Sequence, residues 1–386
     1  MEKKAWTLVL IATLLVLGAS VGSGATRGGT PAATVGQAFD RLWSKYQHKL
    51  VGLCVGAVDG DVAQTKCFGT KGPTTSAAPD EHTLFRIASV SKTFAAALFA
   101  LRLDQGKVKL HQHARSLVPL LGGQPLFPTT LTLLQLADHY SGLPHNAPNA
   151  KNVNEFFVKT AGCLNTSSCN HGAPGAGYSY SNWGVSVLGQ LLALHDGFAD
   201  GLVPPWDQDN DAAITGPLGM TETKTFADWL QSDPGHLLQN RAHSGSDKSE
   251  VTRYGGPGSG LYSSAHDMLL WLRYAMGLHG PANLLHSFPR MYENVPLVPT
   301  KAAGRQIGLV WDVMSGTPEG VKCISKAGDG PDFHAQLLFA EGIRRGAFLM
   351  VNNTPKPSYR TMLGELFNDL PPTPGAESTT CPAGQG

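Results

Sequence analysis

The pattern of apolar and polar residues predicts strands near both ends of the chain and helices between them. Apolar residues recur at helical spacing across residues 34–50, and alternating β-rich residues lie on both sides of Gly60. This pattern indicates an amphipathic helix followed by an antiparallel hairpin. Near the other end, residues 333–340 and 346–352 predict two antiparallel strands joined by a charged turn.

The middle of the chain is mainly helical in pattern. Helical spacing and capping residues predict helices near residues 152–160, 183–195 and 265–276, and a closing helix at 359–370. The apolar, branched run 307–313 predicts one strand. The expected fold class is therefore α+β: one antiparallel sheet built from both chain ends and flanked by helices. A single domain over residues 34–370 would carry a helical insertion at about 115–300.

The first residues have the pattern of a targeting segment. A short charged start precedes an almost wholly apolar run, and small residues follow it. We expect a secretory signal at residues 1–25, which would direct the protein to the periplasm or the medium. The apolar run is shorter than the roughly 20 residues that a membrane span needs, so we expect no stable anchor. Residues 26–33 and 371–386 are predicted to be flexible.

Six cysteines in an exported chain are candidates for disulfides. Cys54 and Cys67 lie on either side of the predicted turn at Gly60, so a hairpin would place them opposite each other. Cys163 and Cys169 enclose a short polar loop, and we expect them to form a second disulfide. Cys323 and Cys381 remain, and the sequence leaves open whether they form a disulfide or stay as free thiols.

Composition and charge exclude several classes of function. The 386 residues are 42% hydrophobic and 15% charged, with a net charge of +1, which is typical of a globular domain. Because no cluster of Lys and Arg is present, we expect no nucleic-acid partner. There is no C-x-x-C pair, and no acid follows His111 and His113, so we expect neither a metal nor a cofactor. We expect a monomer.

The candidate chemistry begins at Ser89-Val90-Ser91-Lys92, which an apolar, Ala-rich run follows. On a helix, Ser89 and Lys92 would lie one turn apart on one face. A helix N-terminus favours developing negative charge, and a lysine with a lowered pKa can take the proton of a serine. Taken alone, this tetrad is better explained by a serine that caps the helix and a solvated surface lysine, because S-x-x-K occurs by chance in many proteins.

Two later motifs would complete such a site. Tyr180-Ser181-Asn182 supplies a phenol that can share protons with the serine and an amide that can bind a substrate. Lys326-Ala327-Gly328 supplies a fixed positive charge and a glycine that allows close approach to a strand edge. Each motif alone is weak, because a half-buried tyrosine in a loop and a lysine at a strand end are common.

In this order, the three motifs resemble those of the serine β-lactamase and penicillin-binding-protein superfamily. The resemblance covers residues 35–369 and is closest to the class C β-lactamases and to related DD-peptidases and esterases. It implies that Ser89 is the acylated nucleophile, with Lys92 and Tyr180 as a proton-transfer pair whose base stays undecided. The resemblance also implies an oxyanion hole formed by the backbone N–H groups of Ser89 and Asp329. It implies that Lys326 lowers the pKa of both Lys92 and Tyr180. The residues that it implies for substrate binding are Asn146, Asn182, Lys326 and Gly328.

The third motif departs from the strict Lys-Thr-Gly pattern, because Ala327 has no hydroxyl group for a substrate carboxylate. Asp329 and Asp332 add acidic groups that would repel an anionic substrate. We therefore expect an exported serine hydrolase with class C-like β-lactamase activity on a small-molecule substrate. The alternatives are a D-Ala-D-Ala carboxypeptidase or peptidoglycan peptidase, an esterase, and a penicillin-binding module that acylates without turnover.

Overall fold

The computed structural model describes residues 31–117, 127–243, 251–293, 295–302, 304–316, 320–352, 359–371 and 379–382. The predicted signal at 1–25 lies outside the described residues, as do parts of the two predicted flexible segments. None of the helices in the described part of the chain combines the length and the apolar character that crossing a membrane requires.

Helices and strands are named in chain order. The helices are α1 Val35–Tyr46, α2 Ser91–Asp104, α3 Leu133–Ala137, α4 Val153–Leu164, α5 Asn182–His195, α6 Pro205–Asn210, α7 Phe226–Ser232, α8 Pro234–Asn240, α9 Gly256–Ser259, α10 Ala265–Ala275, α11 Ala282–Ser287 and α12 Tyr359–Asp369. The strands are β1 Gly52–Asp59, β2 Val62–Gly69, β3 Phe85–Arg86, β4 Lys224–Thr225, β5 Leu261–Ser263, β6 Val298–Pro299, β7 Arg305–Gly308, β8 Trp311–Ser315, β9 Lys322–Asp329, β10 His334–Ala340 and β11 Arg345–Val351.

Eight strands form the main sheet in the order β2-β1-β11-β10-β9-β8-β7-β6, and every neighbouring pair is antiparallel. The two ends of the chain meet where β1 pairs with β11, with Leu53 opposite Val351 and Asp59 opposite Arg345. The Arg345 side chain is fully buried and forms an ion pair with Asp59 at 3.0 Å. This sheet, flanked by helices, confirms the predicted fold class.

The two faces of the sheet pack against different helices because successive side chains of a strand point in opposite directions. Leu53 and Val55 of β1 belong to a core cluster with residues of α1 and α12. Cys54 and Val58 of the same strand belong to a larger cluster on the other side, which includes α2 and α10. The amphipathic helix predicted near the start of the chain therefore covers one face of the sheet.

Helix α2 is buried on all sides, from Ser91 to Arg102. This burial explains its apolar sequence, since an interior helix has no polar face. Phe94 stacks on Trp271 of α10 with 3.8 Å between ring centres. The Trp271 indole donates to the Thr93 hydroxyl, which in turn donates to the Val90 carbonyl. Packing and hydrogen bonds thus fix the first turn of α2.

The run 307–313 is not one strand, so that prediction is wrong. Strand β7 ends before Leu309 and Val310, whose φ angles of 41° and 70° turn the chain into β8. Both side chains are fully buried, so the turn has the apolar composition of a strand. The Leu309 N–H donates to the buried Asp138 carboxylate at 2.8 Å, which stabilises this unusual backbone.

A second sheet, with the order β3-β5-β4, has strands of only two or three residues. Such short strands show no measurable periodicity, and for this reason the sequence pattern did not predict them.

Three disulfides are present: Cys54–Cys67, Cys163–Cys169 and Cys323–Cys381. Cys54 and Cys67 are paired residues of β1 and β2, as the hairpin predicted. The third disulfide, which the sequence left open, joins β9 to the end of the chain. Cys381 is only 2% exposed, so this part of the tail is packed against the domain.

The lengths of the closed loops predict unequal contributions to stability. Cys323 and Cys381 are separated by 58 residues, and Cys163 and Cys169 by six. Chain entropy gives about 4 kcal/mol for the long loop and about 2 kcal/mol for the short one. Urea unfolding of the two paired Cys→Ala variants should show the larger loss for Cys323/Cys381. A larger loss for the short loop would contradict this ranking.

Candidate active site

The predicted nucleophile lies in a strained turn just before α2. The chain leaves β3 at Ile87, whose N–H donates to the Leu261 carbonyl of β5, and enters a 3₁₀ turn at Ala88–Val90. Ala88 has a φ of 44°, a left-handed conformation that side chains other than glycine rarely adopt. Ser89 follows with 9% of its surface exposed, at the floor of an open cleft.

The Ser89 hydroxyl oxygen accepts two hydrogen bonds. Lys92 Nζ donates to it at 2.8 Å and the Tyr180 hydroxyl at 2.7 Å. The fully buried Lys92 Nζ also donates to Asn182 Oδ1 and to the Gly258 carbonyl, each at 2.5 Å. The first two sequence motifs therefore meet at one oxygen atom.

The third motif contributes a second buried ammonium group. Lys326 is 2% exposed, and its Nζ donates to the Val310 carbonyl at 2.6 Å. This Nζ lies 5.6 Å from the centre of the Tyr180 ring, and Lys92 Nζ lies 4.7 Å from the same point. Tyr180 thus lies beside both lysines, and a positive charge on either amino group would be attracted to the face of its ring.

Burial sets the protonation of these groups. It lowers the pKa of Lys92 well below the ordinary value, and the charge of Lys326 lowers this pKa further. Burial also lowers the pKa of Lys326, against the opposing charge of Asp312. For Tyr180, burial raises the pKa and outweighs the hydrogen bond with Ser89. The expectation of a lowered pKa is therefore met for Lys92 and is wrong for Tyr180, because desolvation disfavours the phenolate.

Gly328 allows β9 to lie against the turn that carries the nucleophile. A Cβ atom at Gly328 would lie 2.1 Å from the Ile87 carbonyl oxygen and 3.1 Å from the Ser89 nitrogen. Only glycine permits this approach. The edge of β9 is therefore beside the Ser89 backbone N–H, for which the family resemblance implies a role in an oxyanion hole.

Asp329, the next residue of β9, has a compensated charge. Its carboxylate accepts from the Tyr359 hydroxyl at 2.6 Å and from Arg360 at 2.7 Å, and lies 3.1 Å from His334 Nδ1. Burial disfavours the carboxylate, but the hydrogen bonds of His334 and Tyr359 and the charge of Arg360 outweigh burial and lower the Asp329 pKa. These contacts therefore reduce the repulsion that Asp329 would exert on an anionic substrate.

The cleft has a volume of about 730 Å³, and basic groups outnumber acidic groups along its wall. The charged residues that line it are Arg86, Lys301, Arg305, Lys326, Arg360, Asp312 and Asp329. Asn146, Asn182 and Ala327 line the same cleft. Asn146 Oδ1 lies 2.9 Å from the ring nitrogen of His145. A substrate with a negative charge would meet a predominantly positive surface.

Two main-chain carbonyl groups accept hydrogen bonds from the two lysines, and no sequence motif identifies either carbonyl. The Gly258 carbonyl binds Lys92 and the Val310 carbonyl binds Lys326. Val310 lies in the turn that Asp138 stabilises, and burial raises the Asp138 pKa to about 8. Sequence reasoning missed Asp138 because its partner is a backbone N–H in a distant part of the chain.

His139 is a further residue that the motifs did not assign to the site. Its buried ring lies 4.3 Å from the Tyr180 ring, and its Nδ1 accepts from the Ser181 N–H at 3.2 Å. Burial, reinforced by the charges of Lys326 and Lys92, lowers the His139 pKa well below its ordinary value. A neutral imidazole therefore supports the position of the phenol ring.

Known proteins share both the sequence pattern and the fold. D-alanyl-D-alanine-carboxypeptidase/endopeptidase AmpH of Escherichia coli (strain K12) is 26% identical over 341 residues, covering 84% of this chain and 85% of that protein. Putative beta-lactamase-like 1 of Homo sapiens is 25% identical over 324 residues, covering 81% of this chain and 62% of its own.

Solved structures agree in fold. A class C β-lactamase superposes with a TM-score of 0.69 at 20% identity, covering 86% of this chain and 94% of its own. A β-lactamase/D-alanine carboxypeptidase from Pseudomonas syringae gives 0.71 at 17% identity, covering 86% and 98%. At these identities the likeness shows the fold alone. The family profile described as Beta-lactamase matches residues 35–366, nearly the whole described chain, and the protein therefore belongs to the β-lactamase family of hydrolases.

Proposed function

We propose that the protein is a serine hydrolase that opens β-lactam amides through an acyl-enzyme on Ser89. One observation carries the proposal: Ser89 Oγ lies 2.8 Å from Lys92 Nζ and 2.7 Å from the Tyr180 hydroxyl oxygen. Both groups are within hydrogen-bond distance of one nucleophile, which supports a base and an acid acting on it, as acyl transfer requires. Membership of the β-lactamase family supports the reaction class.

Lys92 is the base in this proposal. Burial and the nearby charge of Lys326 favour its neutral amine. The neutral amine keeps its two N–H bonds to Asn182 Oδ1 and the Gly258 carbonyl, which turns its lone pair toward Ser89. The bond from Ser89 Oγ to the substrate carbonyl carbon forms as the serine proton moves to Lys92 Nζ.

Tyr180 is the acid that releases the leaving group. Its raised pKa keeps the phenol protonated, so it can give its proton to the lactam nitrogen as the C–N bond breaks. The Lys92 ammonium then returns a proton to the phenolate, so the nitrogen carries the proton of Tyr180 and the proton taken from Ser89 restores the phenol. In deacylation a water molecule gives up its proton to this pair and adds to the ester carbon, and Ser89 leaves with a proton restored.

Backbone N–H groups of Ser89 and Asp329 would stabilise the tetrahedral oxyanion. The close approach of Gly328 to the Ser89 nitrogen supports this role, since it brings the β9 edge beside the first donor. Loss of one donor of this kind typically costs about 3 to 4 kcal/mol of transition-state stabilisation.

The charges of the cleft favour a substrate that carries a carboxylate. The buried Lys326 has its Nζ 5.6 Å from the centre of the Tyr180 ring, and Arg360 compensates the charge of Asp329. Asn146 and Asn182 line the cleft, which supports a role for both in binding the acylamide group. Because Ala327 lacks a hydroxyl group, carboxylate binding depends on charge more than on a directed hydrogen bond.

A D-alanyl-D-alanine peptide is the second candidate substrate. The observation that favours it is the similarity to AmpH, whose name is that of a carboxypeptidase and endopeptidase. Such a peptide also ends in a carboxylate, so the same cationic surface would bind it. An ester substrate without a carboxylate would make no use of the positive charge of Lys326 in binding.

We also propose that the protein acts outside the reducing cytoplasm. All six cysteines of the chain form disulfides, a state that persists in the periplasm or the medium.

Replacement of the nucleophile should abolish turnover. Ser89→Ala removes the atom that is acylated, so nitrocefin hydrolysis should fall by at least about 10³-fold. Steady-state assays with nitrocefin, a D-Ala-D-Ala peptide and a p-nitrophenyl ester would give the substrate preference. Ser287→Ala, a buried serine of α11, is the matched control and should keep full activity. If Ser89→Ala were as active as this control, the proposed mechanism would be wrong.

The pH dependence should report the charge of Lys326. A base must be deprotonated, so kcat/KM should fall as the pH falls through the Lys92 pKa, which lies well below its ordinary value. Lys326→Met removes a neighbouring positive charge and raises the Lys92 pKa, so the acidic fall in kcat/KM should move to higher pH. Lys322→Met, on the same strand but paired with Glu341, should leave the pH of this fall unchanged. If kcat/KM fell at the same pH in the wild-type protein and in both variants, the role of Lys92 would be refuted.

Removal of Arg360 should weaken the binding of anionic substrates. Arg360→Ala removes the guanidinium group that pairs with one oxygen of the Asp329 carboxylate, so KM for nitrocefin should rise by about fivefold, equivalent to about 1 kcal/mol. KM for a neutral ester should change little. The double variant with Asp329→Asn should recover most of the loss. An equal rise for both substrates would show that Arg360 acts through packing and not through charge.

A further inference from the structure

A cluster of histidines and carboxylates lies outside the cleft, around the small sheet. It consists of His82, Glu222, His236, His266 and Asp267. His82 lies just before β3, Glu222 just before β4, and His266 just after β5, while His236 belongs to α8. Each strand of the small sheet therefore has one member of the cluster at its end.

The Glu222 carboxylate is at the centre of this cluster. One of its oxygens lies 3.1 Å from His82 Nδ1, and the other lies 3.7 Å from His236 Nε2. Potential ligand atoms of Glu222, His266 and Asp267 all lie within 4.8 Å of one another. Metal–ligand bonds of about 2.0 to 2.2 Å in a tetrahedral site place ligand atoms roughly 3.3 Å apart. The separations among these three atoms exceed that spacing by at most about 1.5 Å.

Asp267 fixes the orientation of two of its neighbours. Its side chain is fully buried, and one carboxylate oxygen lies 3.1 Å from His266 Nδ1. The other oxygen accepts from the Glu222 backbone N–H and the Thr223 hydroxyl, both at 2.8 Å. A carboxylate behind a histidine in this manner is the usual outer partner of a metal-binding imidazole.

His236 presents a nitrogen atom toward the Glu222 carboxylate. Its ring stacks on Trp229, with 5.2 Å between ring centres. Its Nε2 is buried and has no hydrogen-bond partner within the part of the chain that the structure describes. A buried nitrogen of this kind, 3.7 Å from a carboxylate oxygen, is suited to a metal ion that would join the two.

We propose that His82, Glu222, His236 and His266 bind one divalent transition-metal ion, with Asp267 as the outer partner of His266. Three imidazoles and one carboxylate form a set that favours Zn²⁺. Hard cations such as Mg²⁺ and Ca²⁺ prefer oxygen ligands and would bind weakly here. The ligands are dispersed along the chain, and the sequence shows no short metal-binding motif, so the expectation of no metal followed from spacing alone.

The ion would connect the ends of β3, β4 and β5. Strand β3 leads directly into the turn of Ser89, and the Ile87 N–H bonds to Leu261 of β5. Metal binding would therefore stabilise the platform behind the nucleophile. The ion would not take part in the acyl-transfer reaction, because its ligands do not line the cleft.

Zinc binding to the full-length mature protein tests the proposal directly. After dialysis against a chelator, calorimetry with ZnCl₂ should give about one ion per chain, and thermal unfolding should shift to higher temperature. Co²⁺ should give the intense visible absorption of a tetrahedral site. Glu222→Gln should weaken zinc binding by at least tenfold, and His82→Asn/His266→Asn by at least 100-fold. Asp267→Asn should weaken it by about 10- to 100-fold.

Matched controls locate the ion. His286→Asn changes an exposed histidine that pairs with Asp104, and Ser89→Ala changes the cleft; both should bind zinc like the wild-type protein. Circular dichroism of the metal-free variants would verify folding. If the double variant did not fold, Glu222→Gln alone would decide the outcome. Absence of zinc binding, or equal affinity in Glu222→Gln and His286→Asn, would overturn the proposal.

Discussion

The buried amino group of Lys92 is the constraint on which the site depends. A charged amine without water is costly, and a second one nearby raises the cost further. The fold surrounds Lys92 with three polar partners: Ser89, Asn182 and the Gly258 carbonyl. These partners fix its position, while burial and Lys326 lower its pKa. The same arrangement therefore provides both the geometry and the reactivity of a base.

Much of the remaining structure serves to hold these groups in place. The sheet joins the two ends of the chain, so that β9 can present Lys326 and Gly328 to a turn formed more than 200 residues earlier. Gly328 allows the close contact with this turn, and the reversal at Val310 supplies the carbonyl for Lys326. A packed helix α2 keeps Ser89 and Lys92 one turn apart.

The sequence predicted the helices and strands that have a clear hydrophobic periodicity and the residues that have distinctive chemistry. The hairpin, the amphipathic α1 and the meeting of the three motifs belong to this group. It failed where a backbone contact decides the structure: the turn at Leu309 is as apolar as a strand, and the carbonyl of Gly258 has no signal. It also overestimated the acidity around Asp329, because the compensating Arg360 lies 31 positions further along the chain.

The central claim is that Ser89 is acylated with Lys92 as its base. The most direct measurement is peptide mass spectrometry after a rapid acid quench of the protein with a slowly hydrolysed β-lactam. We predict that the intact mass of the β-lactam is added to the peptide that contains Ser89, and that Lys92→Met forms this adduct far more slowly. An adduct on another residue, or consumption of the β-lactam without any adduct on Ser89, would contradict the claim.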